Sequence, residues 1–138
     1  IKKNEHPSEP IVVFTSSEKF TRLLAERIPD AVLWTGPVSK KNREKNLEAF
    51  LTGKSPMLIA TYPAISEGMD GLQHVCHVEI RADEAGGVVQ ETQVNGRLNR
   101  RGQKADKIIR YRLLAEDTAD TERVEALLDN VRDRRGEL

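Results

Sequence analysis

The chain of 138 residues is long enough for one domain with a hydrophobic core and too short for two ordinary domains. Basic and acidic residues balance at 22 each, which excludes a strongly basic domain, so any phosphate-binding surface has to be local. The single cysteine, Cys76, excludes an internal disulfide, and no apolar run is long enough to cross a membrane, so we expect an intracellular protein, cytoplasmic or, in a eukaryote, nuclear.

The first third of the chain alternates strand and helix patterns. Residues 1–10 are polar, and we expect a tail or linker there, followed by one domain over 11–138. The apolar run at 11–15 predicts a strand that is buried on both faces. Ser16 and Ser17 can then cap a helix, and a second strand follows that helix at 31–34.

The middle third repeats the alternation. Ser39 is a candidate cap for a second helix, which Gly53 ends. An apolar run at 57–61 predicts a third strand, and residues 63–68 read as a short helical turn. Residues 74–80 predict a fourth strand.

The last third contains a loop at 83–87, a helix that carries arginines, a fifth strand at 107–114 and a final helix. Asp117 or Thr118 is a candidate cap for that final helix. Its apolar residues have helical spacing and predict a narrow buried stripe: Val124, Leu127, Leu128 and Val131.

Strands that alternate with helices predict an α/β fold, with three α/β/α layers and a mostly parallel sheet of about five to six strands. In such sheets ligands bind beyond the carboxyl ends of the strands. We therefore expect the functional side chains, the arginines included, to face that edge of the sheet.

Two patterns imitate ligand sites. Gly53-Lys54-Ser55 resembles the end of a P-loop, but Glu48 stands where the motif needs a glycine, and the strand follows the loop instead of preceding it. We reject nucleotide binding there. The group His74, Cys76 and His77 resembles a metal site, but successive strand residues face opposite sides of a sheet, so we predict no metal site.

Residues 93–103 carry the strongest functional signal. We predict a helix that ends at Gly102, with Val94 and Leu98 packing into the core and three polar side chains on another face: Gln93, Arg97 and Arg100. The alternative is a solvated basic face. Because nothing in the chain holds a triphosphate, two presented arginines indicate half of a shared active site, to which a second body brings the nucleotide.

Several stretches in the right order resemble one family. Gln93-x-x-Gly96-Arg97-x-x-Arg100-x-Gly102-Gln103 is similar to the motif Q-x-x-D-R-x-H-R-x-G-Q, with Gly96 and Asn99 at two departures. Residues 11–17 resemble the fourth motif of the same family, and 58–61 with 67–70 resemble the fifth. The family is the second RecA-like lobe of superfamily-two helicases and translocases, in particular the Swi/Snf-type translocases of double-stranded DNA.

The resemblance implies a RecA-like fold and an ATP-driven motor on DNA, with RNA as the alternative nucleic acid. ATP and Mg²⁺ would be held mainly by a first RecA-like lobe of the same protein, so this chain alone is expected to be inactive, and no membrane is implied. The implied catalytic residues are Arg97 and Arg100.

The resemblance also implies binding residues. Those implied near the nucleotide are Gln93, Gly68 and Asp70. Those implied to contact the nucleic-acid backbone are Ser16, Ser17 and Thr61. Contacts to the backbone carry no base information, so binding is expected to be insensitive to sequence and strongly dependent on salt.

The competing hypothesis is a non-catalytic α/β module that binds nucleic acid or protein by itself. The missing P-loop and the balanced net charge favour it. Hydrolysis of ATP in the presence of a first lobe separates the two hypotheses.

Overall fold

The computed structural model describes residues 9–65, 69–83, 88–113 and 119–134. Within them five strands form one parallel sheet in the order β2-β3-β1-β4-β5. The strands are β1 (Ile11–Thr15), β2 (Val32–Trp34), β3 (Met57–Thr61), β4 (Val78–Arg81) and β5 (Ile109–Arg112). The predicted α/β class with a parallel sheet is confirmed.

Four α-helices cover the two faces of this sheet: α1 (Glu18–Arg27), α2 (Lys40–Leu51), α3 (Val88–Leu98) and α4 (Asp120–Arg134). Two short 3₁₀ turns, Tyr62–Ala64 and Leu72–His74, lie between β3 and β4. None of the helices that the structure describes has the length and apolar character needed to cross a membrane.

Serine hydroxyls begin the first two helices, as predicted. The side chain of Ser17 accepts a hydrogen bond from the Phe20 amide, and that of Ser39 accepts one from the Asn42 amide. Each bond satisfies an amide that has no partner inside the helix. Gly53 follows α2 with φ of 85°, a conformation that glycine adopts without strain.

The sheet separates two hydrophobic cores. Alternate residues of each buried strand point to opposite faces. One core lies under α2 and α3 and includes Phe14, Phe50 and Leu98. The other lies under α1 and α4, where Leu24 and Leu127 meet; Val124, Leu127 and Val131 are buried and Leu128 is partly buried, so the predicted stripe on α4 is confirmed.

Several predicted elements have different bounds in the structure. The second and fifth strands, predicted at 31–34 and 107–114, span Val32–Trp34 and Ile109–Arg112. The predicted strand at 74–80 begins only at Val78, because Gly71, at φ of 98°, starts a 3₁₀ turn that includes His74. The predicted arginine helix begins at Val88 and ends at Leu98, so Arg100 lies beyond the last helical residue. Residues 66–68, 84–87 and 114–118, and with them the predicted caps Asp117 and Thr118, lie outside the described residues.

We predict that Leu127→Ala lowers the free energy of unfolding by about 2–5 kcal/mol, because it leaves a cavity between α4 and α1. Urea denaturation measures the change. Glu125→Ala on the same helix is the matched control: its ion pair with Arg27 is exposed, so its expected cost is only about 0–1 kcal/mol. Equal losses in the two variants would contradict this account of the core.

Candidate functional site

Arg97 is a buried side chain that ties α3 to the segment before β4. Its guanidinium donates to the carbonyl oxygens of Ile65 at 2.7 Å and Met69 at 3.0 Å, and it contacts Asp70 Oδ1 at 3.4 Å. The side chain is only 10% exposed. The sequence prediction that α3 holds both guanidiniums out on a free face is therefore wrong for Arg97, because the buried carbonyls of Ile65 and Met69 lie against it and need donors.

The environment of Arg97 disfavours its charge. Burial lowers the pKa of Arg97 below its ordinary value, the neighbouring charge of Arg100 lowers it further, and Asp70 raises it. The hydrogen bonds to Ile65 and Met69 compensate this desolvation, because a buried guanidinium without acceptors would be strongly destabilising.

Arg100 is placed differently. Its side chain is 41% exposed, and its guanidinium contacts Asp70 Oδ1 at 3.3 Å. Asp70 itself is 71% exposed, and contacts of this length between exposed charges contribute little to stability. Arg100 can therefore exchange Asp70 for a stronger anion, whereas Arg97 cannot leave its site without exposing two buried carbonyls.

The end of α3 lies near the amino end of β4, while Arg97 bonds a residue that follows the carboxyl end of β3. Gln103 Nε2 donates to the carbonyls of Leu98 and Cys76, which places the end of α3 beside the start of β4. The helix runs back across the sheet in this way, as a helix between two neighbouring parallel strands must. The Arg97 guanidinium bonds Ile65, four residues after the end of β3, and the expectation that both arginines face the edge where the strands end stays a prediction.

A tight turn follows α3 and explains the last part of the motif. Gly102 has φ of 100°, and a Cβ atom there would lie 2.5 Å from His74 Cε1. The side chain of Gln103 bonds the end of α3 to Cys76 and also accepts from the Ala105 amide. These residues shape the turn that carries Arg100.

The carboxyl edge of the sheet forms a second group of polar side chains, arranged around Asp83. Its carboxylate accepts from the Thr15 hydroxyl at 2.6 Å and from the Ser16 amide at 2.8 Å. Arg123 lies 3.8 Å from the same carboxylate. The backbone amide of Ser16, just before α1, thus already donates to the Asp83 carboxylate, whereas it could otherwise bind an external anion.

The three residues that the resemblance implies for nucleic-acid contact differ in exposure. Ser16 is exposed. The hydroxyl of Ser17 caps α1 and also donates to Asp120 Oδ2 at 3.2 Å. Thr61 is buried at the end of β3. Of these three side chains, Ser16 alone is open to solvent.

Two further implied residues flank the arginines. Gln93 is half-buried and lies four residues before Arg97 on α3, and Asp70 joins the two arginines as described. Gly68 lies outside the described residues.

The three residues that imitate a metal site serve other purposes. Cys76 is buried, its thiol donates to the carbonyls of Val78 and Pro10, and burial raises the pKa of this thiol to about 12. His77 lies 3.1 Å from Glu9. His74 belongs to the 3₁₀ turn beside Gly102.

Sequence reasoning missed a buried ionic cluster between β4 and α3. Glu79 and Arg81 are inside the domain, although charged residues are rarely found there without partners. The charged positions 79 and 81 alternate with the apolar positions 78 and 80, which suggests a strand with one solvated face. No local signal shows that α3 covers that face.

Comparisons with known proteins give a family and a fold. The family described as "Helicase conserved C-terminal domain" matches residues 1–102. No curated protein sequence matches the chain. Among solved structures, the C-terminal part of the Fun30 ATPase domain has a TM-score of 0.68 and 18% identity, over 86% of this chain and 38% of that chain.

Two other solved structures have the same fold. The yeast DEAD-box splicing factor Prp28 has a TM-score of 0.63 and 20% identity, over 92% of this chain and 28% of that chain. The Hef helicase domain of Pyrococcus furiosus has a TM-score of 0.55 and 21% identity, over 94% of this chain and 25% of that chain. The chain thus spans well under half the length of these two structures and of the Fun30 structure.

We predict that Gly102→Ala lowers the free energy of unfolding by about 1–2 kcal/mol, because alanine is strained at this positive φ. Adding His74→Ala should recover only the part of the lost stability that comes from contact between the new methyl group and the His74 ring. A double-mutant cycle in urea measures this part.

Gly96→Ala is the matched control, since Gly96 is helical and has open space around its missing Cβ. It should raise stability by about 0.5–1 kcal/mol. A Gly102→Ala variant as stable as the parent would refute the strained-turn account.

Proposed function

The chain belongs to the helicase conserved C-terminal domain family and is a second RecA-like lobe of the superfamily-two type, and from this premise we propose that it serves an ATP-dependent translocase of double-stranded DNA. In this proposal ATP is hydrolysed between this lobe and a first lobe of the same protein. The observation that carries the proposal is the exposed guanidinium of Arg100, held beside a buried and immobile Arg97.

Arg100 is the proposed arginine finger. Its planar group of donors suits the oxygens of a phosphate, and it is charged at every physiological pH. A phosphoryl group in transfer develops negative charge that a guanidinium from a second body can stabilise. The weak contact with Asp70 keeps Arg100 oriented while leaving it available.

Arg97 has a different proposed role, which is to fix the surroundings of Arg100. It bonds the carbonyls of Ile65 and Met69 and so attaches both residues to α3. Asp70, next to Met69, contacts both arginines. The resemblance implies that Arg97 and Arg100 are both catalytic; we propose instead that Arg100 is the finger and Arg97 is an anchor.

ATP, with Mg²⁺, would supply the transferable phosphoryl group and would be held mainly by the first lobe. The donors of this chain fit a secondary contribution to nucleotide binding. The guanidinium of Arg100 faces solvent beside Asp70, and Gln93 lies one helical turn before Arg97. Asp70, Gln93 and Gly68 are the proposed nucleotide neighbours. We propose that their part is to orient the cation.

Nucleic acid is proposed to contact the carboxyl edge of the sheet. Ser16 is the exposed candidate there. The hydroxyl of Ser17 caps α1 and Thr61 is buried, so these two residues would contribute to binding through their backbone groups and through the shape of the surface. The carboxylates of Asp83 and Asp120 at this edge keep its charge low. Most phosphate affinity is therefore expected to come from the first lobe.

We predict that this chain alone does not hydrolyse ATP, and that the protein that joins it to a P-loop-bearing first lobe hydrolyses ATP when double-stranded DNA is added. Phosphate release is measured with double-stranded DNA, single-stranded DNA and RNA in parallel, at several salt concentrations. Stimulation by RNA alone would redirect the proposal to an RNA helicase. Robust hydrolysis by the isolated chain would refute the shared site.

We predict that Arg100→Ala lowers ATP turnover of the two-lobe protein by about 10³-fold or more, because it removes the cation that meets the transition state. The thermal midpoint should hardly change, because Arg100 is exposed and its one described ion pair, with Asp70, is weak.

Two neighbouring arginines are the controls for this variant. Arg101→Ala removes an exposed arginine at the next position and should leave turnover close to normal. Arg97→Ala should lower stability as well as turnover, by roughly 3 kcal/mol or more, since buried carbonyls lose charged donors. Normal turnover in Arg100→Ala would exclude it as the finger.

A further inference from the structure

A group of charged side chains joins β4 to α3, and the proposed function leaves it unexplained; two of its members are buried and the others are partly exposed. Glu79 and Arg81 have side chains that are 0% and 1% exposed. They lie two residues apart in β4 and therefore point to the same face of the sheet. That face is also the one to which Val12 and Phe14 of the neighbouring strand point, under α2 and α3.

Arg81 contacts α3 at two points. Its Nη1 donates to Glu91 Oε2 at 3.0 Å, and its Nη2 donates to Asn95 Oδ1 at 2.6 Å. Glu91 and Asn95 are four residues apart, so they lie one above the other on one side of α3. A single side chain anchored on the sheet therefore holds the helix at two positions one turn apart.

Arg81 is itself held in place by a bond within β4. Arg81 Nε donates to Glu79 Oε2 at 2.7 Å, within the same strand. Arg110, the register partner of Glu79 on β5, donates to the same oxygen at 2.6 Å, and Arg112 lies 3.6 Å from Glu91. Three positive and two negative charges thus form what we call the β4–α3 charge cluster: Arg81, Arg110, Arg112, Glu79 and Glu91.

Stability alone does not explain such a cluster. Apolar residues of similar volume often hold a fold as well as a buried ion pair does, or better, because the pair has to be desolvated. The buried contacts of α3 at Val94 and Leu98 are apolar and have no preferred direction. Near its end α3 is oriented by the bonds of Arg97 and Gln103, and the hydrogen bonds of Arg81 add a directional constraint on the part of the helix that holds Glu91 and Asn95.

The orientation of α3 matters for the arginines that follow. Arg100 follows the last residue of α3, Leu98, by two residues, so its place depends on where the helix ends. A rotation of α3 by one residue, roughly 100°, would move Arg97 away from the carbonyls of Ile65 and Met69 and would separate Arg100 from Asp70.

We propose that Arg81 is a positioning residue for ATP hydrolysis: by clamping Glu91 and Asn95 it sets the orientation of α3, and thereby the place at which Arg100 meets the nucleotide. This inference rests on the proposed function. Arg81 itself touches no nucleotide in the proposal, and it acts through α3.

The test compares Arg81→Met with Arg110→Met in the two-lobe protein. Both remove a guanidinium that bonds Glu79 Oε2, but among the described bonds only those of Arg81 reach α3. Arg81→Met should lower kcat by about tenfold to a hundredfold, because the finger is misplaced, and should leave the KM for ATP within about twofold. Arg110→Met should keep kcat close to normal.

Two further variants guard against a simple folding defect. The single variant Arg81→Met leaves the buried Glu79 carboxylate with one partner fewer. The double variant Glu79→Gln with Arg81→Met also removes that negative charge, so it should restore the thermal midpoint without restoring kcat. Arg81→Lys keeps the charge but cannot form the same fork of bonds, so its kcat should lie between those of the parent and Arg81→Met.

Hydrogen exchange of α3 provides a readout that does not depend on activity. In this chain, Arg81→Met should speed exchange of the α3 amides more than that of the α1 amides, and Arg110→Met should not. If wild-type two-lobe protein fails to hydrolyse ATP, the proposed function fails, and the exchange of α3 alone then decides whether Arg81 orients the helix.

Two results would overturn the inference. The first is an Arg81→Met protein with normal kcat and normal α3 protection. The second is a loss of kcat in Arg81→Met that matches its loss of thermal stability and that is equally large in Arg110→Met. Such a result would mean that Arg81 contributes only to stability.

Discussion

The bonds from Arg97 to the carbonyls of Ile65 and Met69 are the interaction on which the rest of the site depends. They hold the segment before β4 against α3, and they do so with a charged group that is removed from water. A buried guanidinium tolerates few alternative arrangements, because each lost acceptor is costly. Ile65, Met69 and Asp70 are therefore attached to α3 by one side chain, and Arg100 follows the end of that helix.

Directional hydrogen bonds fix the orientation of α3 in this domain, which apolar packing alone does not fix. Val94 and Leu98 attach α3 to the sheet, but hydrophobic contacts tolerate small rotations and shifts. Polar contacts hold the helix through Arg81, which bonds Glu91 and Asn95, and through Gln103 just after the helix ends. Such an arrangement suits a lobe that has to present one cation to a partner with little positional error.

Much of the fold could be predicted because its signals are local. The bounds of β1 and β3 agree with the apolar runs, and the caps at Ser17 and Ser39 follow from hydroxyls that stand just before helical patterns. The prediction for 74–80 was wrong before Val78, because a 3₁₀ turn that follows Gly71 includes His74 and residue type alone cannot show where sheet pairing starts.

The sequence by itself determined the α/β class, the positions of most elements and a family motif with two arginines, because spacing along the chain carries that information. Only the tertiary structure decided that Arg97 is buried, that Arg100 is exposed, and that Glu79 and Arg81 lie inside the domain. The physical reason is that burial and pairing depend on which distant segment packs over a side chain, and no local pattern encodes that partner.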